Sequence, residues 1–152
     1  MDLTGNARNK IGVVVPCHNV REKVLDVIRG VPAFVEKIYV VDDACPQQSG
    51  EHVVESTSDT RIVVITHASN QGVGGAVVSG FRAALSDGMD IIVKIDGDGQ
   101  MDPGLIPLFV APIIKGQADY TKGNRFYDLA QVDRMPARRL VGNALLSFVA
   151  KL

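Results

Sequence analysis

The sequence has little cysteine, no long apolar run and almost no net charge, and each shortage excludes a class of protein. Cys17 and Cys45 are the only cysteines, too few for a disulfide-stapled secreted domain, and they fit a reducing compartment. No apolar run reaches the roughly 17–25 residues of a membrane-spanning helix, and residues 1–10 are too polar for a signal peptide. A formal net charge of −1 argues against non-specific nucleic-acid binding. We therefore predict a cytosolic domain without a nucleic-acid partner.

The composition is that of one ordinary globular domain. Of 152 residues, 46% are hydrophobic and 22% are charged, so the chain can bury a core and disorder is not expected. Residues 1–10 are expected to form a flexible N-terminus. Residues 140–152 are strongly apolar, with no glycine cap or polar tail after them. We expect them to begin an apolar helix that leads into a further C-terminal part.

Short apolar runs alternate with amphipathic segments. β-branched runs favour strands, and apolar residues three and four positions apart favour helices. Alternating strands and helices predict an α/β fold, a mostly parallel sheet with helices on both faces. The predicted strands are Ile11–Pro16, Ile38–Val41, Arg61–Thr66, Ile91–Ile95 and Ala118–Lys122, and the predicted helices are Glu22–Arg29, Gln48–Thr57, Gly72–Asp87, Pro103–Lys115 and Pro136–Leu152.

The most informative stretch is residues 91–103, where an apolar strand leads to Asp96 and Asp98, separated by one glycine. Side chains two positions apart on extended backbone face the same side. Both carboxylates should therefore converge beyond the carboxyl end of the strand, where open parallel sheets bind ligands. Paired carboxylates suit Mg²⁺ or Mn²⁺, which commonly sit on substrate phosphates. Taken alone, Asp-Gly pairs also form simple turns, and that interpretation stays open.

Further polar and glycine-rich segments follow the other strands. Residues 17–19 follow the first strand, and Asp42 and Asp43 follow the second. The two aspartates either bind a ligand or simply start the next helix. Four glycines at 72, 74, 75 and 80 lie in the third predicted helix, and each lowers helix stability by about 1 kcal/mol relative to alanine. They indicate a close approach of sheet, helix or ligand.

Five motifs occur in order along the chain: Val13–Asn19, Val40–Cys45, Asn70–Ala76, Asp96–Gln100 and Lys122–Phe126. The series resembles the family-2 glycosyltransferases of the GT-A fold, most of all the dolichyl- and polyprenyl-phosphate mannosyltransferase-like group. The resemblance covers residues 11–139, which it identifies as a nucleotide-sugar-binding domain. It implies metal-dependent, inverting transfer of a sugar from a UDP or GDP donor to a polyprenyl or dolichyl phosphate. A saccharide acceptor is the alternative.

The resemblance also implies roles for individual residues. The expected catalytic residues are Asp96, Asp98 and Arg125, of which Arg125 would pair with the donor phosphates. The ligands of the Mg²⁺ or Mn²⁺ ion would be Asp96, Asp98 and Gln100. The donor-binding residues would also include Asp43, which would accept a hydrogen bond from the base. Pro16 and His18 would flank the base and ribose.

Two departures from the family pattern affect the base. His18 stands where the family often has an aromatic residue that stacks on the base, and Val20 stands where it often has an acidic one. The choice between uridine and guanosine is therefore open. A membrane could be contacted through the expected C-terminal part, which would place the protein at the cytoplasmic face.

A phosphatase of the haloacid-dehalogenase type is the competing enzyme class. Those enzymes carry two aspartates, one residue apart, after an apolar strand, and the first aspartate is the nucleophile. Here the pair follows the fourth predicted strand rather than the first, and Gln100 stands where that class prefers threonine. A binding module without catalytic activity is the third possibility.

Overall fold

A computed structural model of the chain describes residues 9–123. Within that range four strands alternate with four α-helices, as the hydrophobic pattern predicts. The elements are β1 (Ile11–Cys17), α1 (Arg21–Gly30), β2 (Lys37–Asp42), α2 (Ser49–Ser56), β3 (Ile62–Thr66), α3 (Gly72–Ser86), β4 (Ile91–Lys94) and α4 (Ile106–Ile114), the last preceded by a 3-10 turn at Pro103–Leu105.

The sheet is parallel throughout the described residues, with strand order β3-β2-β1-β4. The chain builds outward from β1 through β2 to β3, and α3 then carries it back across to β4 on the other side of β1. The strand order thus reverses between β1 and β4. At such a switch point the connections leave in opposite directions and open a crevice beyond the carboxyl ends of the strands.

Side chains of the strands alternate between two apolar layers. Val13 and Val15 are fully buried against α1, α2 and α4, whereas Val14 is fully buried against α3 on the opposite face. Helices therefore cover both faces, and the predicted fold class is confirmed. Helix α3 lies very close to the sheet, because a Cβ atom on Gly80 would overlap Val14 Cγ1.

Eight of the predicted elements are confirmed, seven with ends shifted by at most one residue and α4 beginning three residues later than predicted, but the predicted strand Ala118–Lys122 is wrong. These residues adopt no strand. The Thr121 hydroxyl instead donates to the Phe109 carbonyl of α4 at 2.9 Å, and Tyr120 is 76% exposed. The polar residues of this segment are more stable in contact with water than in a buried strand. The helix predicted over 136–152 lies outside the described residues.

No helix among residues 9–123 has the length and apolar character needed to cross a bilayer.

Candidate active site

A pocket opens at the carboxyl ends of the strands, on the face covered by α3. Its walls come from the ends of β1, β2 and β4 and from the first turn of α3. Strand alternation accounts for Asp43 and Asp96, which occupy positions that face α3, whereas Cys17 and Val20 belong to the opposite apolar layer. The lining residues are Pro16, Cys17, His18, Val20, Asp43, Val73, Ala76, Asp96, Gly97 and Asp98.

Five sequence-predicted site residues lie together in this lining: Pro16, His18, Asp43, Asp96 and Asp98. Two others do not. Gln100 is exposed and absent from the lining, although its amide donates to Asp98 Oδ1 at 3.0 Å. Arg125 lies outside the described residues, and its role stays a prediction.

The acidic pair is held where the backbone of β4 leaves the sheet. The Ile95 amide still donates to the Val14 carbonyl at 3.0 Å, and the next residues form a tight turn. Gly97 is buried between the two carboxylates, where a Cβ atom would lie 3.2 Å from Val20 Cγ2 and 3.3 Å from Cys17 Sγ. Glycine therefore keeps the floor of the pocket open.

The pair is chemically suited to a hard divalent cation. Asp96 and Asp98 are partly exposed carboxylates on one pocket wall, and oxygen ligands of this kind bind Mg²⁺ with waters and substrate phosphates completing the coordination. Within residues 9–123 no cluster of three or more histidine, cysteine or acidic side chains has a metal-binding arrangement. Lys94 Nζ lies 2.5 Å from Asp96 Oδ1, so a lysine charge also faces the pair.

The two aspartates after β2 have separate tasks. Asp42 is buried and faces α2. Its Oδ1 accepts from the Cys45 amide at 2.7 Å and its Oδ2 from the Gly50 amide at 2.6 Å. Asp42 thereby fixes the turn, including Ala44 at φ 48°, and the start of α2. Of the two, only Asp43 lines the pocket, so the helix-start interpretation holds for Asp42 and the ligand role of Asp43 stays a prediction.

Sequence reasoning missed a hydrogen-bonded chain behind Asp43. Asp43 Oδ1 accepts from His67 Nδ1 at 2.6 Å and from the Gln71 amide at 2.8 Å. His67 Nε2 lies 2.8 Å from Ser79 Oγ on α3. Burial alone would raise the pKa of Asp43, but the Gln71 amide and His67 outweigh it and lower that pKa below its usual value. Asp43 is therefore an ionised acceptor at neutral pH.

His18 lies at the mouth of the pocket. Its Nδ1 is 3.2 Å from the Asp43 carbonyl and 3.3 Å from Asn70 Nδ2. The ring thus bridges the ends of β1 and β2 and the approach to α3, while the residue stays exposed. This location is compatible with contact to a ligand entering the pocket.

The two cysteines are buried and form part of the pocket's support. Cys45 Sγ accepts from the Asn19 amide at 3.1 Å and lies 3.1 Å from Ser49 Oγ. Asn19 has φ 57°, so this bond stabilises an unfavourable turn after β1. Burial, with the negative charge of Asp42 adding to it, raises the pKa of Cys17 to about 12. Cys17 is therefore a neutral, apolar lining group.

Comparison with known proteins gives a consistent result. The family model described as "Glycosyl transferase family 2" matches residues 12–150. The chain is 28% identical, over 93% of its length, to a UDP-N-acetylglucosamine–dolichyl-phosphate N-acetylglucosaminyltransferase of Methanococcus voltae, of which it covers 62%. It is 29% identical, over 86% of its length, to a dolichol-phosphate mannosyltransferase of Pyrococcus furiosus, of which it covers 37%. The chain thus spans less than two thirds of these relatives.

The fold has a counterpart among solved structures. A mannosyltransferase of Pyrobaculum calidifontis, in complex with GDP-Man and Mn²⁺, superposes with a TM-score of 0.51 at 24% identity. The similarity covers 64% of this chain and 29% of that one. At this identity the match concerns the fold.

Proposed function

Because the chain belongs to glycosyl transferase family 2 and has its GT-A fold, we propose that it binds a nucleotide-diphosphate sugar and takes part in transferring the sugar to an acceptor. The observation that carries this proposal is the convergence of Asp43, Asp96 and Asp98, from two strand ends, on one pocket. A haloacid-dehalogenase-type phosphatase is not supported, since the family match is to a different class of enzyme.

Different pocket residues would bind different parts of the donor. Asp96 and Asp98 would hold Mg²⁺ or Mn²⁺, which when bound supplies positive charge to the departing nucleoside diphosphate. Asp43, ionised and turned toward α3, would accept a hydrogen bond from the base. His18 and Pro16 would contact the base and ribose, and Arg125 would pair with phosphate oxygens. The complex of the Pyrobaculum protein with GDP-Man and Mn²⁺ supports a nucleotide sugar and a divalent cation as ligands of this fold.

For the acceptor we propose a polyprenyl or dolichyl phosphate. The Methanococcus and Pyrococcus relatives are both named for dolichyl-phosphate chemistry. A phosphate acceptor is already an anion at neutral pH, so it needs no general base on the protein. A saccharide acceptor is the alternative, and the cytoplasmic face of a membrane, where a lipid acceptor would be met, stays the predicted location.

Calorimetric titration of the chain with UDP and with GDP, each with and without Mn²⁺, tests donor binding. We expect binding that depends on Mn²⁺ and that falls at least about tenfold when D96N and D98N are combined, since the cation loses both carboxylate ligands and even outer-shell partners of a metal contribute about 10- to 100-fold in affinity. The control is D26N, because Asp26 is an exposed residue of α1 paired with Arg29. Nucleotide binding that ignores both the metal and the double substitution would contradict the proposal.

Acceptor choice is tested separately, with a radiolabelled sugar donor and either a polyprenyl phosphate in micelles or an oligosaccharide. Label entering the lipid fraction supports the lipid acceptor. Label entering only the oligosaccharide supports the alternative.

A further inference from the structure

The two oxygens of the Asp43 carboxylate differ in the hydrogen bonds that they accept from neighbouring residues. Both hydrogen bonds that the described residues donate to this side chain, from His67 and the Gln71 amide, end on Oδ1. A carboxylate oxygen has about two lone-pair sites, so Oδ1 is saturated. The Gly72 amide lies near enough to help lower the pKa of Asp43, but its hydrogen bond goes to the Asn70 side-chain oxygen at 2.8 Å. Among residues 9–123, none donates to Oδ2, and this is the oxygen left for a ligand in the pocket.

His67 sets this arrangement without lining the pocket itself. Its amide donates to the Asp42 carbonyl at 2.9 Å, which continues the β2–β3 ladder and places the imidazole beside Asp43. An ionised carboxylate only accepts hydrogen bonds, so Nδ1 carries the proton. Ser79 on α3 contacts the other ring nitrogen at 2.8 Å. With only 9% of its surface exposed, His67 is held from both sides.

This aspartate, histidine and serine form a chain that resembles a nucleophilic triad in composition only. Ser79 lies on α3 and does not belong to the pocket lining. Its hydroxyl therefore anchors the imidazole rather than attacking a substrate. The role of these three hydrogen-bonded side chains must therefore lie at Asp43, the member that lines the pocket.

We propose that His67 is a positioning residue that presents one oxygen of Asp43 to the donor, and that the site thereby selects a base with a single N–H on its pairing edge, uracil rather than guanine. Uracil offers one N–H between two carbonyl oxygens. Guanine offers two adjacent N–H donors, which are best met by both oxygens of one carboxylate. The inference rests on the donor binding proposed above.

The test is a titration of the chain, with Mn²⁺ present, using UDP, GDP and N3-methyl-UDP as probes. We expect UDP to bind about 10- to 100-fold more tightly than either of the others, the effect of one charge-assisted hydrogen bond. GDP binding as tightly as UDP would overturn base selection. Absence of Mn²⁺-dependent binding for all three nucleotides would instead refute the proposed function itself.

Two matched variants test the positioning role. In H67N the side-chain amide nitrogen takes the place of Nδ1 and can still donate to Asp43, whereas in H67Q the nitrogen takes the place of Nε2 and reaches toward Ser79. We expect H67N to keep at least a third of the UDP affinity and H67Q to lose about tenfold. Neither change should alter N3-methyl-UDP binding.

A double-mutant cycle separates positioning from general loss of structure. If His67 acts through Asp43, H67Q should cost UDP affinity in the parent chain and nothing further in D43A. Equal losses for H67N and H67Q, an equal loss for N3-methyl-UDP, or additive losses in the cycle would each overturn the positioning role. H52Q, at a partly exposed histidine of α2 that contacts Ser56, is the control.

Discussion

Replacing Gly80 by alanine should destabilise the protein, although alanine is the better helix former. A Cβ atom at this position would overlap Val14 Cγ1 and lie 3.2 Å from Val41 Cγ2. Val14 cannot swing away, because it is fully buried in the central strand and β-branched side chains have few χ1 choices. Helix α3 would have to move off the sheet. Its matched partner is Gly74, on the same helix, where a Cβ atom meets no described atom within 4 Å.

The expected magnitudes differ in sign. Alanine in place of a helical glycine stabilises by about 0.5–1 kcal/mol, and G74A should show this gain. In G80A the same gain is opposed by overpacking, which costs about 1–3 kcal/mol or more, and the rigid neighbour favours the upper end. The net loss should be about 1–2 kcal/mol. For a chain of this size each kcal/mol changes Tm by roughly 2–4 °C.

Urea denaturation, followed by circular dichroism, measures the free energy of unfolding of both variants and of the parent chain. G80A should unfold at lower urea and G74A at slightly higher urea than the parent chain, with unchanged slopes. Because α3 also supplies Val73 and Ala76 to the pocket, G80A should weaken nucleotide binding as well. A G80A chain as stable as the parent would refute the close packing of α3 on the sheet.

Three further substitutions test the charges around the site. K94M should raise Mn²⁺ affinity about threefold to tenfold, since it removes a positive charge 2.5 Å from Asp96 Oδ1; unchanged or weaker binding in a Mn²⁺ titration would count against a metal at Asp96. D42A should destabilise by about 2–4 kcal/mol in urea, because two buried amides lose their acceptor, and a loss below about 1 kcal/mol would contradict the bracing role. The folded-state pKa of Asp43 is lowered, so its contribution to stability is complete above about pH 4, the unfolded pKa, and is lost as pH falls through the folded pKa. D43N should therefore show a shallower loss of stability below pH 4 than D26N, and identical acid profiles would contradict this.

The architecture was accessible from sequence because its signals are local. Apolar runs and helical spacing each act within about ten residues. Strand alternation predicts that Asp96 and Asp98 share one side, and both do line the pocket, but they follow the end of β4 at Lys94 in a tight turn rather than on extended backbone. The strand predicted at Ala118–Lys122 failed for the same reason. Its few residues alternate weakly, and the bond between Thr121 and the Phe109 carbonyl, which holds the segment against α4, has no counterpart in the local pattern.

The support of the site was beyond local patterns. His67 lies 24 residues from Asp43, and their contact depends on the neighbouring positions of β2 and β3 and on a register that pairs Asp42 with Thr66. Likewise, two adjacent aspartates look alike in a sequence. What separates them is the layer that each one faces, and this is known only when helices are assigned to the two sides of the sheet.

The alternation of Asp42 and Asp43 makes the length of β2 a functional quantity. One carboxylate braces the turn into α2 and the next looks into the pocket, because consecutive side chains of a strand point to opposite faces. Inserting or deleting a single residue within β2 would exchange these directions. The carboxylate that now braces the turn would then point into the pocket, and the one that now lines the pocket would point into the apolar layer. Homologous chains that keep this chemistry should therefore tolerate length changes in the loops around β2 but not inside it.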